Sequence, residues 1–551
     1  MPGVVPSAQG RRRRPGAVGG VAPAAATSRP QDPPGERDGR ARPAAADDAV
    51  PLDGAVPEDG AVPEDGAVPE GGTAPDDPAA DDAGATYGVG QDIEVAVEDV
   101  AQGGWCVAKP DGLPVLFVRH ALPGERVVAR VTEVTAKFAR ADAVRILQPS
   151  PDRVDAPCPH ARPGGCGGCD WQHASLPAQR ALKAAVIVQQ LRRVAGIERE
   201  VTVEPLPGDA PETAGAPETG TAPETGVPET GVPEAGVPEA GVPEITATGG
   251  RPGLRWRTRV QFAVDASGVA GLRGHRSHQV VDIGDCLIAH PAVRDLDIPG
   301  DNWSGAAAVE VAVGGADSAE NFALTVIEDA GPRRGRNQHT RARPNRGGRL
   351  PARKRTLVEG RPYLAEQAAG RIWQVSAEGF WQVHPAAAGT LSAAVVEALE
   401  PKPGDTVIDL YCGAGLFAGV VAPLVGPDGA VTGIEFDSAA VRNARQNLGD
   451  YPWATFQQAD VARAVTDAIL PPARLVIADP PRAGLAREVV GFLTGDSQAE
   501  RFAYVSCDPA TLARDLALLI SGGWRLDNLR AFDAFPMTHH VECVATLSRV
   551  S

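Results

Sequence analysis

The sequence predicts an α/β protein with three folded parts: a C-terminal doubly wound parallel sheet, a mixed α+β central region before it, and an OB-like β-barrel in front of both. Three observations lead to that reading. From about residue 386, buried-type strand runs alternate with helical patterns, the rhythm of consecutive βαβ units. Between 88 and 147, short β-prone runs are punctuated by Gly103-Gly104 and Pro123-Gly124, the pattern of a small barrel. Two low-complexity stretches, 1–87 and 207–244, stand apart from these regions.

In chain order, residues 1–87 are rich in Ala, Pro, Gly and Asp and repeat Gly-Ala-Val-Pro-Glu at 54–70. They lack the apolar content for a core and are expected to be disordered. The barrel region, 88–147, has strand propensity in Ile93 to Val97, Val115 to Val118 and Arg126 to Val131. The central region is expected over 148–385, with a cysteine-rich piece at 156–175, a helix at about 177–195, and mixed strands from 251. It holds two stretches expected to be disordered insertions. Residues 207–244 repeat Val-Pro-Glu-Thr/Ala-Gly, with proline too frequent for a helix or a central strand. Residues 331–356 contain ten Lys or Arg and no acid, among them Arg333, Arg334, Arg336, Arg353, Lys354 and Arg355. They read either as an RNA-contacting loop or as a solvated insertion. In the C-terminal domain, 386–551, strands are expected at Thr406 to Leu410, Val431 to Glu435, Leu475 to Ala478 and Phe502 to Val505.

The net charge of −17 is unevenly spread. Residues 1–87 carry 15 acidic and 8 basic side chains, and residues 207–244 carry 8 acidic and no basic ones, so the remainder is near −2. A nearly neutral folded part can still present a basic face to nucleic acid. Only 5 of the 53 basic residues are Lys, so an arginine-rich stretch is a weaker signal than usual. No run of 18 apolar residues occurs, and no membrane span is expected. Arg11 to Arg14 lead into no apolar stretch, which argues against a secretory signal. Cys158, Cys166 and Cys169 cluster with ligand-like spacing, which points to metal binding in a reducing cytoplasm.

Three motifs fall at strand ends of the C-terminal domain. Asp409-Leu410-Tyr411-Cys412-Gly413-Ala414-Gly415 follows the first strand, and its glycines let backbone approach a ligand closely. Glu435 lies 20 residues after Gly415, where a carboxylate can accept from ribose hydroxyls. An acid ahead of the glycines suits a methyl-donor site, but Gly413-x-Gly415-x-x-Ala418 also fits a dinucleotide fingerprint. Asp479-Pro480-Pro481-Arg482 ends the fourth strand, its prolines fixing a turn that presents Asp479 and Arg482 to the crevice. Ser506-Cys507-Asp508-Pro509 delivers a thiol to a strand end, just ahead of a helix opened by Pro509. The positive helix end is expected to favour thiolate, making Cys507 a candidate nucleophile; taken alone, a single cysteine is more often structural.

In their order and spacing these motifs resemble the RNA uracil-C5 methyltransferase family, the TrmA/RlmC/RlmD group. Gly379-Phe380-Trp381-Gln382-Val383-His384 is similar to that family's Phe-x-Gln-Val-Asn segment, and Met537-Thr538-His539-His540-Val541-Glu542 to its C-terminal His-Val-Glu. The barrel resembles the TRAM RNA-binding domain. The resemblance implies a Rossmann-like class I methyltransferase domain that uses S-adenosyl-L-methionine, held by Gln382, Asp409, Tyr411, Gly413, Gly415, Glu435 and Asp479. It implies Cys507 as the nucleophile adding to uracil C6 and Glu542 as the base removing the C5 proton. Without it, Glu542 in an alternating strand reads as an outward-facing acid, and His539 and His540 as a polar turn. Leu416 and His384 stand where the family has Asn.

Cys158, Cys166 and Cys169 with the distant Cys286 resemble the family's four-cysteine iron–sulfur site, although the first gap is two residues longer. The thiolates alone suit a 4Fe–4S cluster or tetrahedral zinc equally; the resemblance favours the cluster. The expected partner is RNA, ribosomal rather than transfer, with no DNA and no membrane, in the cytoplasm. Two other functions fit parts of the chain: a nicotinamide-dependent dehydrogenase at the Gly413 turn, and a non-catalytic, metal-bearing RNA-binding protein.

Overall fold

Short runs of alternating apolar and polar residues make the first sheet. In this computed structural model, which describes residues 86–209, 252–315, 320–329 and 353–550, β1 (Asp92–Ala96), β2 (Asp99–Ala101), β3 (Trp105–Ala108), β4 (Val115–Arg119), β5 (Arg126–Val134) and β6 (Phe138–Gln148) pair in the order β1-β5-β6-β4-β3-β2. Val127, Ala129 and Val131 of β5 turn inward onto Cys106, Leu116 and Ala141, and the residues between them face outward. Register shifts between β5 and β6 bend these two long strands, as a barrel wall requires. The tail through residue 85, the repeat from 210 and the basic segment through 352 lie outside the described residues.

Helix α1 (Leu176–Gln190) starts at Ser175, whose side chain accepts from Ala178 N, with a proline in its first turn. A π-helical turn, Leu191–Ala195, and then Gly196 in the left-handed region end it. After β7 (Val203–Pro205), the second sheet comprises β8 (Arg259–Val264), β9 (Ala270–Arg273), β10 (Val280–Val281), β11 (Ala308–Val313), β12 (Phe322–Asp329) and β13 (Arg353–Gly360), in the order β10-β9-β8-β11-β12-β13. The one-turn α2 (Pro291–Arg294) interrupts it in sequence, and the hairpin β14 (Tyr363–Ala368) and β15 (Arg371–Ser376) follows it.

The C-terminal part alternates helices and strands: α3 (Ala387–Leu399), β16 (Thr406–Leu410), α4 (Leu416–Val425), β17 (Ala430–Glu435), α5 (Ser438–Asn447), β18 (Ala454–Gln458), α6 (Val461–Thr466), β19 (Leu475–Ala478), α7 (Arg487–Thr494), β20 (Arg501–Ser506), α8 (Pro509–Ser521), β21 (Trp524–Asp533) and β22 (Glu542–Arg549). Its sheet runs β18-β17-β16-β19-β20-β22-β21-β7, with β16 to β20 parallel and β22 antiparallel to both neighbours. Strand order reverses between β16 and β19, so the crevice beyond their carboxyl ends is where a ligand binds in such sheets. Apolar clusters cover both faces of the sheet, which is why its strands read as continuous apolar runs.

Three expectations change. The chain does not divide at 385 as expected: β7 pairs with β21, and Lys183 of α1 reaches Asp533 at 2.5 Å, so α1 and β7 complete the C-terminal sheet. The basic stretch 331–356 is not an insertion throughout, because Arg353, Lys354 and Arg355 begin β13. Their charges are matched across the strand pair: Lys354 meets Glu328 at 3.1 Å, Arg353 meets Asp329 at 3.5 Å, and Arg355 pairs with Glu310. The stretch 207–244 likewise begins inside the fold. Asp209 is buried, with one carboxylate oxygen 2.9 Å from His384 Nε2 and the other accepting from Gly253 N at 2.9 Å. Asp209 and Gly253 thus bracket the repeat, and His384, which replaces the family's Asn, serves as a structural partner.

Candidate active site

Buried strand β16 carries Asp409 to the switch point. Its Oδ2 accepts from Ala418 N at 2.9 Å, tying the strand end to the first turn of α4, while its Oδ1 is buried with no partner among the described residues. Burial pushes this carboxyl up to about 8. Gly413 and Gly415 take φ of 52° and 88°, which only glycine adopts cheaply. A Cβ on Gly415 would lie 3.2 Å from Ala444 and Leu448, whereas one on Gly413 would point into open space. Glu435, at the end of β17, accepts from Gly413 N at 3.1 Å and Asp437 N at 2.7 Å. Tyr411 is also left-handed, at φ 63°, a strain of about 1–3 kcal/mol typical of ligand-binding turns. Its hydroxyl faces the Ala486 backbone, and burial pushes the phenol up to about 12. Gln382 is buried on the loop ahead of α3.

The turn gains a polar support that the sequence did not reveal. Asn447 of α5 donates to Ala414 O and Gln374 O, both at 3.0 Å. Leu416, in place of the family's Asn, packs instead into the apolar cluster under α4.

Cys507 sits one residue beyond β20, half-buried. Ser506 pairs with Cys543 across β20 and β22, so Cys507 and Glu542 are the next residues outward on the same face. Glu542 is not outward-facing as the alternating pattern implied. β22 is a central strand covered on both sides, and Glu542 is buried at its start. Burial, then the neighbouring Asp479 carboxylate, hold Glu542 well above the usual carboxylate range, while Arg482 opposes them. Asp479 is raised by burial as well.

The expected thiolate-favouring helix end is not available to Cys507. Asp508 caps α8, its Oδ1 accepting from Ala510 N at 3.0 Å and Thr511 N at 2.9 Å. Burial, Glu542 and Asp479 instead push the Cys507 thiol up, with Arg482 acting the other way. Gln102, in the barrel turn between β2 and β3, donates to Asp508 Oδ2 at 2.9 Å, so the barrel reaches the residue beside the thiol. The site therefore gathers a thiol, the buried Glu542 and half-buried Asp479 carboxylates and one guanidinium, at the carboxyl ends of β19 and β20 and the start of the antiparallel β22. That combination can add a nucleophile and remove a proton on the same substrate face.

Comparison with known proteins identifies the family. The family description "tRNA (Uracil-5-)-methyltransferase" matches residues 472–550, a TRAM domain matches 88–144, and a methyltransferase domain matches 401–470. An uncharacterized RNA methyltransferase of Streptomyces coelicolor is 45% identical, over 83% of this chain and 93% of that protein. The 23S rRNA (uracil(1939)-C(5))-methyltransferase RlmD of Methylococcus capsulatus is 30% identical, over 83% of this chain and 97% of that protein. The chain belongs to the RNA uracil-C5 methyltransferase family. Among solved structures, Pyrococcus abyssi tRNA (uracil-54, C5)-methyltransferase in complex with S-adenosyl-L-homocysteine shares the fold, with a TM-score of 0.54 and 20% identity over 83% of this chain and 100% of that one.

In this uracil-C5 methyltransferase, membership sets aside the dehydrogenase and the non-catalytic alternatives. The barrel is its TRAM domain, and no helix among the described residues is long and apolar enough to cross a membrane. Cys158, Cys166, Cys169 and Cys286 line one cavity together with Arg257 and Ile288. The longer first gap is taken up by two tight turns, Cys158 O to Ala161 N and Arg162 O to Gly165 N. Burial pushes Cys166 up to about 11 and raises Cys169 and Cys286, each further raised by another of the four cysteines. Among the described residues, no three His, Cys, Asp or Glu side chains are grouped so as to hold a single metal ion.

Asp170 is a further residue that the sequence reading passed over, although it directly follows Cys169. It is buried and pairs with His539 Nδ1 at 2.6 Å. Gln102 offered no signal at all, since its partner lies 406 residues away.

Proposed function

We propose that the protein methylates C5 of uridine in RNA, giving 5-methyluridine, through a covalent Cys507–uracil C6 adduct. The observation that carries this reading is the convergence of Cys507, Glu542, Asp479 and Arg482 at one crevice beside the Asp409–Gly415 turn. S-adenosyl-L-methionine, held by Gln382, Asp409, Tyr411, Gly413, Gly415, Glu435 and Asp479, supplies an electrophilic methyl group when bound. The unpartnered Asp409 Oδ1 and the open space at Gly413 fit such a ligand.

Uracil C5 is a poor nucleophile. A flipped uridine entering the crevice exposes C6 to Cys507, whose sulfur adds there as thiolate once its proton has passed to solvent. The ring becomes an enolate with nucleophilic C5. After methylation C5 carries both a methyl group and a hydrogen. Glu542 takes that proton, the C5–C6 double bond reforms, and Cys507 leaves as thiolate. Arg482, the cation that opposes the raised Cys507 and Glu542 values, steadies the charge in both steps. Replacing Cys507 by Ala is expected to abolish methylation of RNA by labelled donor; persistent methylation would refute the covalent route.

The likeness to a 23S rRNA enzyme over 83% of this chain supports ribosomal RNA as substrate. Transfer RNA is the second reading, favoured by the family description that matches residues 472–550. Mapping 5-methyluridine in both RNA pools, with and without the gene, separates them. In either case TRAM and the central region grip RNA by backbone and stacked bases, and the setting is the cytoplasm. The four-cysteine cavity supports a bound 4Fe–4S cluster. Four thiols line that cavity, and tetrahedral zinc is the alternative occupant.

A further inference from the structure

We infer that Asp170, on the four-cysteine loop, is a positioning residue for proton removal: it holds the turn that carries Glu542 and thereby sets the base. This rests on the reading of Cys507 as nucleophile and Glu542 as base. The turn between β21 and β22 is gripped by the segment that begins one residue after Cys169. Asp170 N and Trp171 N both donate to Met537 O at 3.0 Å, and Met537 N donates to Gln179 Oε1 at 2.8 Å. Met537 needs this grip, since its φ of 70° lies in the left-handed region that non-glycine residues avoid.

The Asp170 side chain extends the hold toward the base. Its Oδ2 accepts from His539 N at 3.1 Å and meets His539 Nδ1 at 2.6 Å, while its Oδ1 faces Arg119 Nη2 at 3.9 Å. The His539 ring lies 4.0 Å from that of His540, whose Nε2 accepts from Arg482 Nη2 at 3.3 Å. Asp170 therefore reaches Glu542 along the chain, through His539. Its hydrogen bonds and ion pairs run to this turn and to the barrel. The Cys507 side is held separately, by the Asp508 cap and Gln102.

That division predicts a separation of steps. When the Asp170 contact is lost, Cys507 still adds to C6 and C5 still takes the methyl group. The misplaced carboxylate of Glu542 then removes the C5 proton slowly, so the Cys507–C6 bond persists. A purely structural role for Asp170 would slow both steps together.

The test follows full-length wild type, Asp170→Asn, His539→Ala and Glu542→Gln with in vitro transcribed substrate RNA. Single-turnover methyl transfer is read against decay of the covalent protein–RNA band on denaturing gels. His539→Ala breaks the same link from a partly exposed side, should Asp170→Asn fold poorly. A whole general base is worth about 10²–10⁴-fold, so a displaced one is expected to slow adduct decay roughly tenfold or more, with methyl transfer within about threefold of wild type. The inference is overturned if Glu542→Gln holds the adduct while Asp170→Asn and His539→Ala release it at the wild-type rate. It is equally overturned if they slow methyl transfer without accumulating adduct. If Glu542→Gln itself holds no adduct, the base assignment has failed instead.

Discussion

Asp409 has one satisfied carboxylate oxygen and one bare one, in a position shut off from water. An acid whose folded value is raised destabilises the fold once the unfolded chain can ionise. Between the ordinary 3.8 and about 8, the folded state keeps a proton that the unfolded state has released, so stability falls as pH rises through that window. Asp409→Asn is therefore expected to melt at a higher temperature than wild type at pH 7.5, with the difference vanishing near pH 4. The same variant is expected to bind S-adenosyl-L-methionine more weakly; equal melting at both pH values contradicts the buried-acid account. Cys507 gives a second pH prediction. Because burial and two carboxylates raise the thiol, kcat/KM is expected to keep rising past the ordinary thiol value of 9.0. Asp479→Asn removes one of those carboxylates and should move the rise to lower pH, measured on the residual activity.

Helix α1 and strand β21 are joined by Lys183 and Asp533, both fully enclosed, with Lys183 Nζ also donating to Phe535 O at 3.0 Å. Removing one partner of a buried pair strands the other charge. Lys183→Met is expected to cost about 3–5 kcal/mol in denaturant unfolding, and adding Asp533→Leu to recover most of it. Elements of the C-terminal sheet were legible because β16 and β19 are continuous apolar runs ended by turn residues, and their bounds match the expectation. Alternation alone makes Glu542 an outward-facing acid because a period of two assumes one wet face, and β22 has none; only the family resemblance pointed to it as a base. The basic residues of β13 read as an RNA-contacting loop or a solvated insertion because their acidic partners, Glu310, Glu328 and Asp329, come from other strands. Long-range pairing leaves no mark on local composition.

The whole molecule places the TRAM barrel, the four-cysteine cavity and the crevice in contact through short polar links. Motif order made the family, the place of Cys507 at a strand end and the glycine turn readable, since each motif is local. Gln102 to Asp508 and Asp170 to His539 could not be read, because each spans hundreds of residues. Cys169 and Cys286 pack in the same apolar cluster as Met537 of the base-bearing turn. On the proposed cluster reading, loss of Cys286 is expected to loosen the turn that carries Glu542. Cys286→Ser protein should lose bound iron and sulfide by elemental analysis and melt several degrees lower; zinc in the wild type, with no iron, would contradict the cluster. The central claim is that Cys507 attacks uracil C6, and peptide mapping by mass spectrometry after incubation with donor and 5-fluorouridine substrate RNA tests it most directly. Fluorine at C5 leaves Glu542 no proton to remove, so the account predicts a stable RNA adduct on the peptide bearing Cys507. An adduct on another cysteine, or none while ordinary RNA is methylated, would contradict it.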